Sequence, residues 1–259
     1  MTQTERRKYL IAALLKEQPQ YSEMKIPPRE QAQKVLLRSL FNIRMPMPVT
    51  DELLAVQDVY LQEETRRKGI TTLSDLKPVQ KDIYLWRGDI TTLAVDTIVN
   101  AANSQMLGCF CPNHGCIDNA IHTYAGVQLR LACADLMKRQ GHEEETGKAK
   151  ITPAYNLPSR YVLHTVGPII HGGLTQRDCQ LLASCYQSCL ELAESNGLKS
   201  IAFCCISTGE FHFPNEKAAQ IAVEAVKRYK EQTHSEIEVI FNVFKETDYN
   251  IYRELLRAD

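Results

Sequence analysis

Apolar positions recur at helical spacing along the opening stretch of the chain and crowd into short β-rich runs beyond it. Tyr9, Leu10, Ala13 and Leu14 share one helix face, as do Val35, Leu36, Leu40 and Phe41, because positions three and four apart fall on the same side of a helix. Pro27-Pro28 separates these segments, and Met45-Pro46-Met47-Pro48-Val49 ends the second. Thr50 is placed to N-cap a third helix, with Asp51 and Glu52 in the first turn, where the dipole favours negative charge. That helix carries Leu53, Leu54, Val56 and Tyr60 and is predicted to end near Arg66 or Arg67. Residues 1–75 therefore read as a helical extension without a strand, its apolar stripes packed on a neighbouring domain.

The texture changes near residue 80. Ile83-Tyr84-Leu85-Trp86, Thr97-Ile98-Val99, Tyr161-Val162-Leu163-His164, Ile201-Ala202-Phe203-Cys204-Cys205 and the run from Ile237 to Val243 read as strands. Helical patterns lie between them, chiefly Val127–Lys138, Gln176–Ser195 and Glu216–Glu231. Strands alternating with helices predict an α/β domain over residues 76–259 with a largely parallel, buried sheet. Function in such sheets gathers in the loops beyond the carboxyl ends of the strands.

Composition narrows the class. With 259 residues, 44% hydrophobic and 24% charged, the chain can bury a sizeable core, and wholesale disorder is excluded. No window reaches the ~18 consecutive apolar residues of a membrane span. The first residues lack the layout of a secretory signal. The formal net charge is −1, which gives no support to generic duplex binding through a basic face. The expectation is a soluble cytoplasmic protein. Nine cysteines without an export signal argue against a disulfide framework. Cys133, Cys179, Cys185, Cys189, Cys204 and Cys205 lie within apolar runs and read as small buried hydrophobes. Cys109, Cys111 and Cys116 instead crowd into one window with His114, which burial does not explain.

The loops after the predicted strands carry the chemistry. Arg87-Gly88-Asp89-Ile90 follows the first, and Asn100-Ala101-Ala102-Asn103-Ser104 follows the second and leads into the Cys/His window and Ile117-Asp118-Asn119. Ile206-Ser207-Thr208-Gly209-Glu210-Phe211-His212-Phe213-Pro214 follows the Ile201–Cys205 run. Small residues between a strand and a helix let backbone N–H groups approach an anion. Ser-Thr-Gly is also ordinary turn chemistry, but two such loops with acidic and amide side chains beside them suggest a phosphate-containing ligand.

These residues resemble the macrodomains, a family that binds ADP-ribose. The matching stretches are Trp86–Gly108 (WRGDITTLAVDTIVNAANSQMLG), Cys116–His122 (CIDNAIH), His164–Pro168 (HTVGP), Ile206–Pro214 (ISTGEFHFP) and Phe241–Phe244 (FNVF), in the family's order. The resemblance implies a three-layer α/β/α fold with a mixed, largely parallel central sheet. It also implies that Asp89 accepts the adenine amino group, that the Ile90 backbone N–H meets a ring nitrogen, and that Phe244 stacks on the base. Asn103 would hold the distal ribose, and Ser207, Thr208, Gly209, Glu210 and Phe211 would wrap the diphosphate. Asp118 occupies the family's catalytic acidic position. Each residue also has a plainer reading: Asp89, Asn103 and Asp118 as turn or helix caps, and Phe244 as a buried aromatic. Two departures stand out. The glycine-rich first loop is replaced by the Cys/His window, and Glu210 and His212 stand where Val or Ile and Gly are usual. A histidine in place of glycine questions any positive-φ requirement there, and an acidic side chain beside a diphosphate must point away or find a cation.

Cys109-x4-His114-x-Cys116 is similar to the zinc-dependent microbial branch of that family, which carries an N-terminal helical extension and hydrolyses ADP-ribose from modified proteins. Thiolate and imidazole suit zinc. The window supplies three ligands, with Cys111 able to complete a closed set, and a three-ligand zinc keeps a position open for water or substrate. The expectation is one Zn2+ and an enzyme that removes ADP-ribose from mono-ADP-ribosylated protein side chains. The alternatives are a non-catalytic ADP-ribose reader and an O-acetyl-ADP-ribose deacetylase. Relatives in this branch often accompany a sirtuin-type transferase and a lipoyl-carrier protein, which makes such a carrier a candidate substrate.

Overall fold

The computed structural model describes residues 1–21 and 23–257. The chain begins with three helices, α1 (Gln3–Lys16), α2 (Glu30–Ile43) and α3 (Asp51–Lys68). Thr2 caps α1 through a reciprocal capping box with Glu5, and Thr50 caps α3 by accepting from the Leu53 N–H at 3.2 Å. Leu10, Leu14, Leu37, Leu40, Leu53 and Leu61 close on one another as a small separate core, to which Val127 of the following domain also belongs.

Beyond the helices come β1 (Thr71–Thr72), β2 (Pro78–Gln80), β3 (Ile83–Arg87), β4 (Leu93–Ala94) and β5 (Thr97–Ala102). Then follow α4 (Ile117–Ala125), α5 (Val127–Gln140), β6 (Ala149–Pro153), β7 (Tyr161–Val166), α6 (Gln176–Ser195), β8 (Ser200–Phe203), α7 (Asn215–Thr233), β9 (Glu238–Val243) and α8 (Glu246–Arg257). The seven-stranded sheet runs β2-β3-β9-β8-β5-β7-β6. Its five inner strands are mutually parallel, and the edge strands β2 and β6 pair antiparallel. The inner strands are nearly continuous buried runs, as expected for a sheet covered on both faces. Helices α6 and α7 pack on each other beside the sheet, and α8 closes over β3 and β9.

The reading of residues 1–75 as strand-free needs one correction: Thr71–Thr72 pairs in parallel with Leu93–Ala94. A two-residue strand has no periodicity to read. The short edges β2 and β6 also lay outside the predicted strands. Each contains a proline, and β6 a lysine, the residues that keep sheet edges from pairing further.

Candidate active site

Because the inner strands are parallel, the loops after β3, β5, β8 and β9 emerge on one rim. After β3, Asp89 caps a single turn of 3-10 helix over Ile90–Thr92. Its Oδ1 accepts from the Thr91 backbone N–H at 3.0 Å and from Thr91 Oγ1 at 2.6 Å. Its Oδ2 accepts from Lys68 Nζ at 3.0 Å. Burial alone would raise the Asp89 carboxyl, but the Thr91 bonds and the Lys68 ammonium outweigh it and hold the group below its ordinary value. Lys68 is the last residue of α3, and its ammonium also lies 3.4 Å from the centre of the Tyr124 ring. Ile90 is buried. Phe244, directly after β9, is 76% exposed, so it is free to offer a ring face and is not a core aromatic.

After β8 the chain turns tightly. Ser207 takes φ +64° and His212 φ +56°. The positive-φ requirement at His212 is therefore real, and a histidine meets it at a cost of roughly 1–2 kcal/mol that a glycine would avoid. Phe213 N–H donates to the Ser207 carbonyl, His212 N–H to that of Gly209, and Ile170 N–H to that of Phe211. Among the described residues, nothing accepts from the backbone N–H groups of Thr208, Gly209, Glu210 or Phe211. A row of such unspent donors is a cradle for phosphate oxygens. Gly167, directly after β7, leaves room for the Ser207 hydroxyl, which a Cβ there would displace.

After β5 the side chain of Asn103 shapes its own loop. Its Oδ1 accepts from the Gln105 and Met106 N–H groups at 3.1 Å, and its Nδ2 donates to the Gly108 carbonyl at 3.2 Å. The turn-capping reading thus describes Asn103 in the free protein, with one amide hydrogen left for a ligand. Gly108 (φ +81°) passes so close to His122 that a Cβ would fall 2.7 Å from the imidazole. The loop then brings Cys109, His114 and Cys116 together, their donor atoms all within 4.8 Å of one another and Cys109 Sγ 3.7 Å from His114 Nδ1. Ligands around a tetrahedral zinc lie roughly 3.5–3.8 Å apart, given its bond lengths to sulfur and nitrogen. The donor set fits such an ion with small adjustments. Cys111 is exposed and contributes its carbonyl to the turn, and the donors gathered here are those of Cys109, His114 and Cys116. Cys116 also N-caps α4, its sulfur accepting from the Asn119 N–H at 3.4 Å. Burial pushes its thiol up to about 12, with the neighbouring Cys109 and Asp118 adding to the shift. Glu210 answers the question raised by an acid beside a diphosphate: its Oε1 lies 3.5 Å from His114 Nε2, on the side of the ring away from Cys109.

Beneath the loop is a buried polar cluster. Asp118 is on α4 and sealed from solvent, and its carboxyl is pushed up to about 6 by burial. Asn100 of β5 spends both amide hydrogens, donating to Asp118 Oδ1 at 2.8 Å and to His164 Nδ1 at 3.1 Å. That assignment puts the His164 proton on Nε2, from which it donates to Thr152 Oγ1 at 2.9 Å. His122 lies 3.5 Å from Asp118 Oδ1. His122 and His164 are both buried, and with Cys133 they form a second group of donors lying within 4.8 Å, assembled from α4, β7 and α5. Asn100 and Lys68 were missed altogether. Asn100 sat inside a run read only as a loop, and nothing near Lys68 in sequence points to Asp89.

The rim of this α/β domain thus brings together a row of unspent backbone donors, an exposed aromatic, an Asp-capped turn and a Cys/His group. The chain matches the Macro domain family over residues 99–222. It is 61% identical over 99% of its length to the whole of a protein-ADP-ribose hydrolase of Treponema medium. It is 49% identical over 98% of its length to 96% of the protein-ADP-ribose hydrolase of Staphylococcus aureus strain MSSA476. A Trypanosoma brucei macrodomain in complex with ADP-ribose superposes with a TM-score of 0.66 at 33% identity, covering 85% of this chain and 94% of that one. The protein belongs to the macrodomain family.

Proposed function

We propose that the protein is a zinc-dependent hydrolase that removes ADP-ribose from mono-ADP-ribosylated protein side chains. The observation that carries this reading is the convergence of Cys109, His114 and Cys116 on one rim with the diphosphate cradle, linked to it by the Glu210–His114 contact at 3.5 Å. A reader would need no such donor set. The hydrolase names of the full-length relatives support the same activity. Held by these three ligands, one Zn2+ would supply a Lewis acid at the ribose or leaving-group oxygen, or a bound water of lowered pKa.

The chain's own residues divide the remaining work. Asp89 and the Ile90 N–H fix the adenine, and Phe244 stacks on it. The N–H groups from Ser207 to Phe211 neutralise the diphosphate without moving, since the loop is already bonded in place. Asn103 spends its remaining amide hydrogen on the distal ribose. Asp118 holds the floor of the site through Asn100, and a water bound there would be oriented by its carboxylate. Glu210, facing His114 Nε2, orients the imidazole from behind, as carboxylates do at histidine-ligated metals. A lipoyl-carrier protein modified by a sirtuin-type transferase is the substrate we favour from the family resemblance. We place the protein in the cytoplasm, where free thiols stay reduced.

The test is release of ADP-ribose from a mono-ADP-ribosylated protein, read beside metal content. One zinc per chain, with activity lost on chelation and restored by added zinc, is the expected outcome. Full turnover in metal-free protein would leave hydrolysis standing and remove the metal from it. Binding of ADP-ribose without turnover of any modified protein would leave a reader.

A further inference from the structure

The Cys/His loop has no strand or helix of its own between β5 and α4, so its shape comes from what grips it. Part of that grip comes from the N-terminal helix α2. Arg38 of α2 donates through Nη2 to the His114 carbonyl at 3.0 Å and to Asn119 Oδ1 at 2.8 Å, and through Nε to the same Oδ1 at 3.2 Å. Asn119 passes the constraint on: its Nδ2 donates to the Cys111 carbonyl at 2.9 Å and its backbone N–H to Cys116 Sγ. One helical turn further along α2, the buried Asn42 accepts from the Asn113 N–H at 2.9 Å and donates to Thr123 Oγ1 at 2.9 Å. Asn113 is the residue at φ +55° that turns the chain back toward His114. From the other side Arg130 of α5 donates to the Leu107 carbonyl at 2.7 Å and to the Phe41 carbonyl of α2 at 3.1 Å. Loop and helix are thereby tied to one buried guanidinium. An adjoining face of α2, through Leu37, Leu40 and Phe41, is anchored in the small N-terminal core.

From these contacts we infer that α2 is the scaffold of the metal loop, with Arg38 and Asn42 as positioning residues that set the Cys109–His114–Cys116 geometry. The inference rests on the metal reading of that loop. It gives the extension a task inside the active site: to hold three ligands in place before the ion arrives, so that binding does not spend its free energy on ordering the loop. Partners of this kind typically change metal affinity by roughly 10- to 100-fold.

The experiment is Co2+ and Zn2+ binding to the full chain by chelator competition, with Co2+–thiolate absorption as a geometric signature and hydrogen exchange of residues 109–116 measured on metal-free protein. Wild type, Arg38→Met, Asn42→Ala, Arg38→Lys and Cys109→Ser are compared. Arg38→Met and Asn42→Ala are expected to bind roughly 10- to 100-fold more weakly, with an altered absorption band and faster exchange in the loop alone. Arg38→Lys, which keeps the charge and one donor direction, should recover part of the affinity, and it decides the matter if Asn42→Ala does not fold. Wild-type affinity and loop exchange in Arg38→Met and Arg38→Lys, with binding lost in Cys109→Ser, would overturn the scaffold and leave the metal site standing. No binding by wild type would overturn the metal reading and the scaffold with it.

Discussion

The Ser207–Phe213 loop and the Cys/His loop share one rim but are held by different means. Ser207 to Phe213 is closed by its own backbone and by Ile170, all within the α/β domain. The Cys109–Cys116 stretch is closed by side chains of α2 and α4, with Arg130 of α5 gripping Leu107 just before it. One loop is therefore a property of the domain, and the other is shared between the domain and its extension. Recognition of the nucleotide and chemistry at the distal ribose should separate accordingly when either loop is disturbed.

The largest expected effect comes from Cys116→Ala. Hydrolysis of a mono-ADP-ribosylated protein should fall below detection while calorimetry still registers ADP-ribose, because the contacts proposed for adenine and diphosphate lie on other loops. Loss of both together, in protein whose circular dichroism is unchanged, would break the separation.

Acid should act next, through the cluster under the Cys/His loop. His164 is driven down to about 3 by burial, and burial with the neighbouring His164 and Arg130 takes His122 well below its usual value. Both imidazoles are neutral when folded and titrate near 6.5 when unfolded. Their contribution to stability is thus full above about pH 6.5 and is lost as pH falls toward the folded values, by on the order of several kcal/mol. Denaturant unfolding from pH 7 to pH 4 should show this decline, and His164→Gln should flatten it. An unaltered slope in that variant would remove His164 from the account. Asp118 faces the same cluster with a carboxyl raised by burial to about 6, and it acts with the opposite sign, losing stability as pH rises through that range.

On the recognition side, Asp89→Ala should weaken ADP-ribose binding by roughly 1.5–3 kcal/mol, the worth of a charged acceptor facing the adenine amino group. Turnover at saturating substrate should survive. Unchanged affinity by calorimetry would take Asp89 out of the site and leave it as the cap and Lys68 partner seen in the free protein. The smallest effect belongs to Phe244→Ala. Stacking of a base on an aromatic is worth about 1–3 kcal/mol, and this ring is too exposed for its loss to disturb the fold. A fall in melting temperature with no change in affinity would reverse that assignment.

Much of this was legible in the residues. The five inner strands announced themselves because strands buried on both faces read as unbroken apolar runs, and the motif order located Asp89, the Ser207–Phe211 cradle and the Cys/His window. The Thr50 cap of α3 was equally plain, since capping is a local bond between near neighbours. The sequence by itself thus determined whatever depends on near neighbours and on burial pattern: the element types, the loops that carry chemistry, and the residues able to ligate a metal. Tertiary structure alone decided that Glu210 turns toward the imidazole and that Lys68 reaches Asp89. It also decided that Arg38 and Asn42, more than seventy residues upstream, bond to the Cys/His loop. Such pairings join polar side chains from distant segments, and a polar residue on a helix looks the same in sequence whether it meets water or a backbone carbonyl.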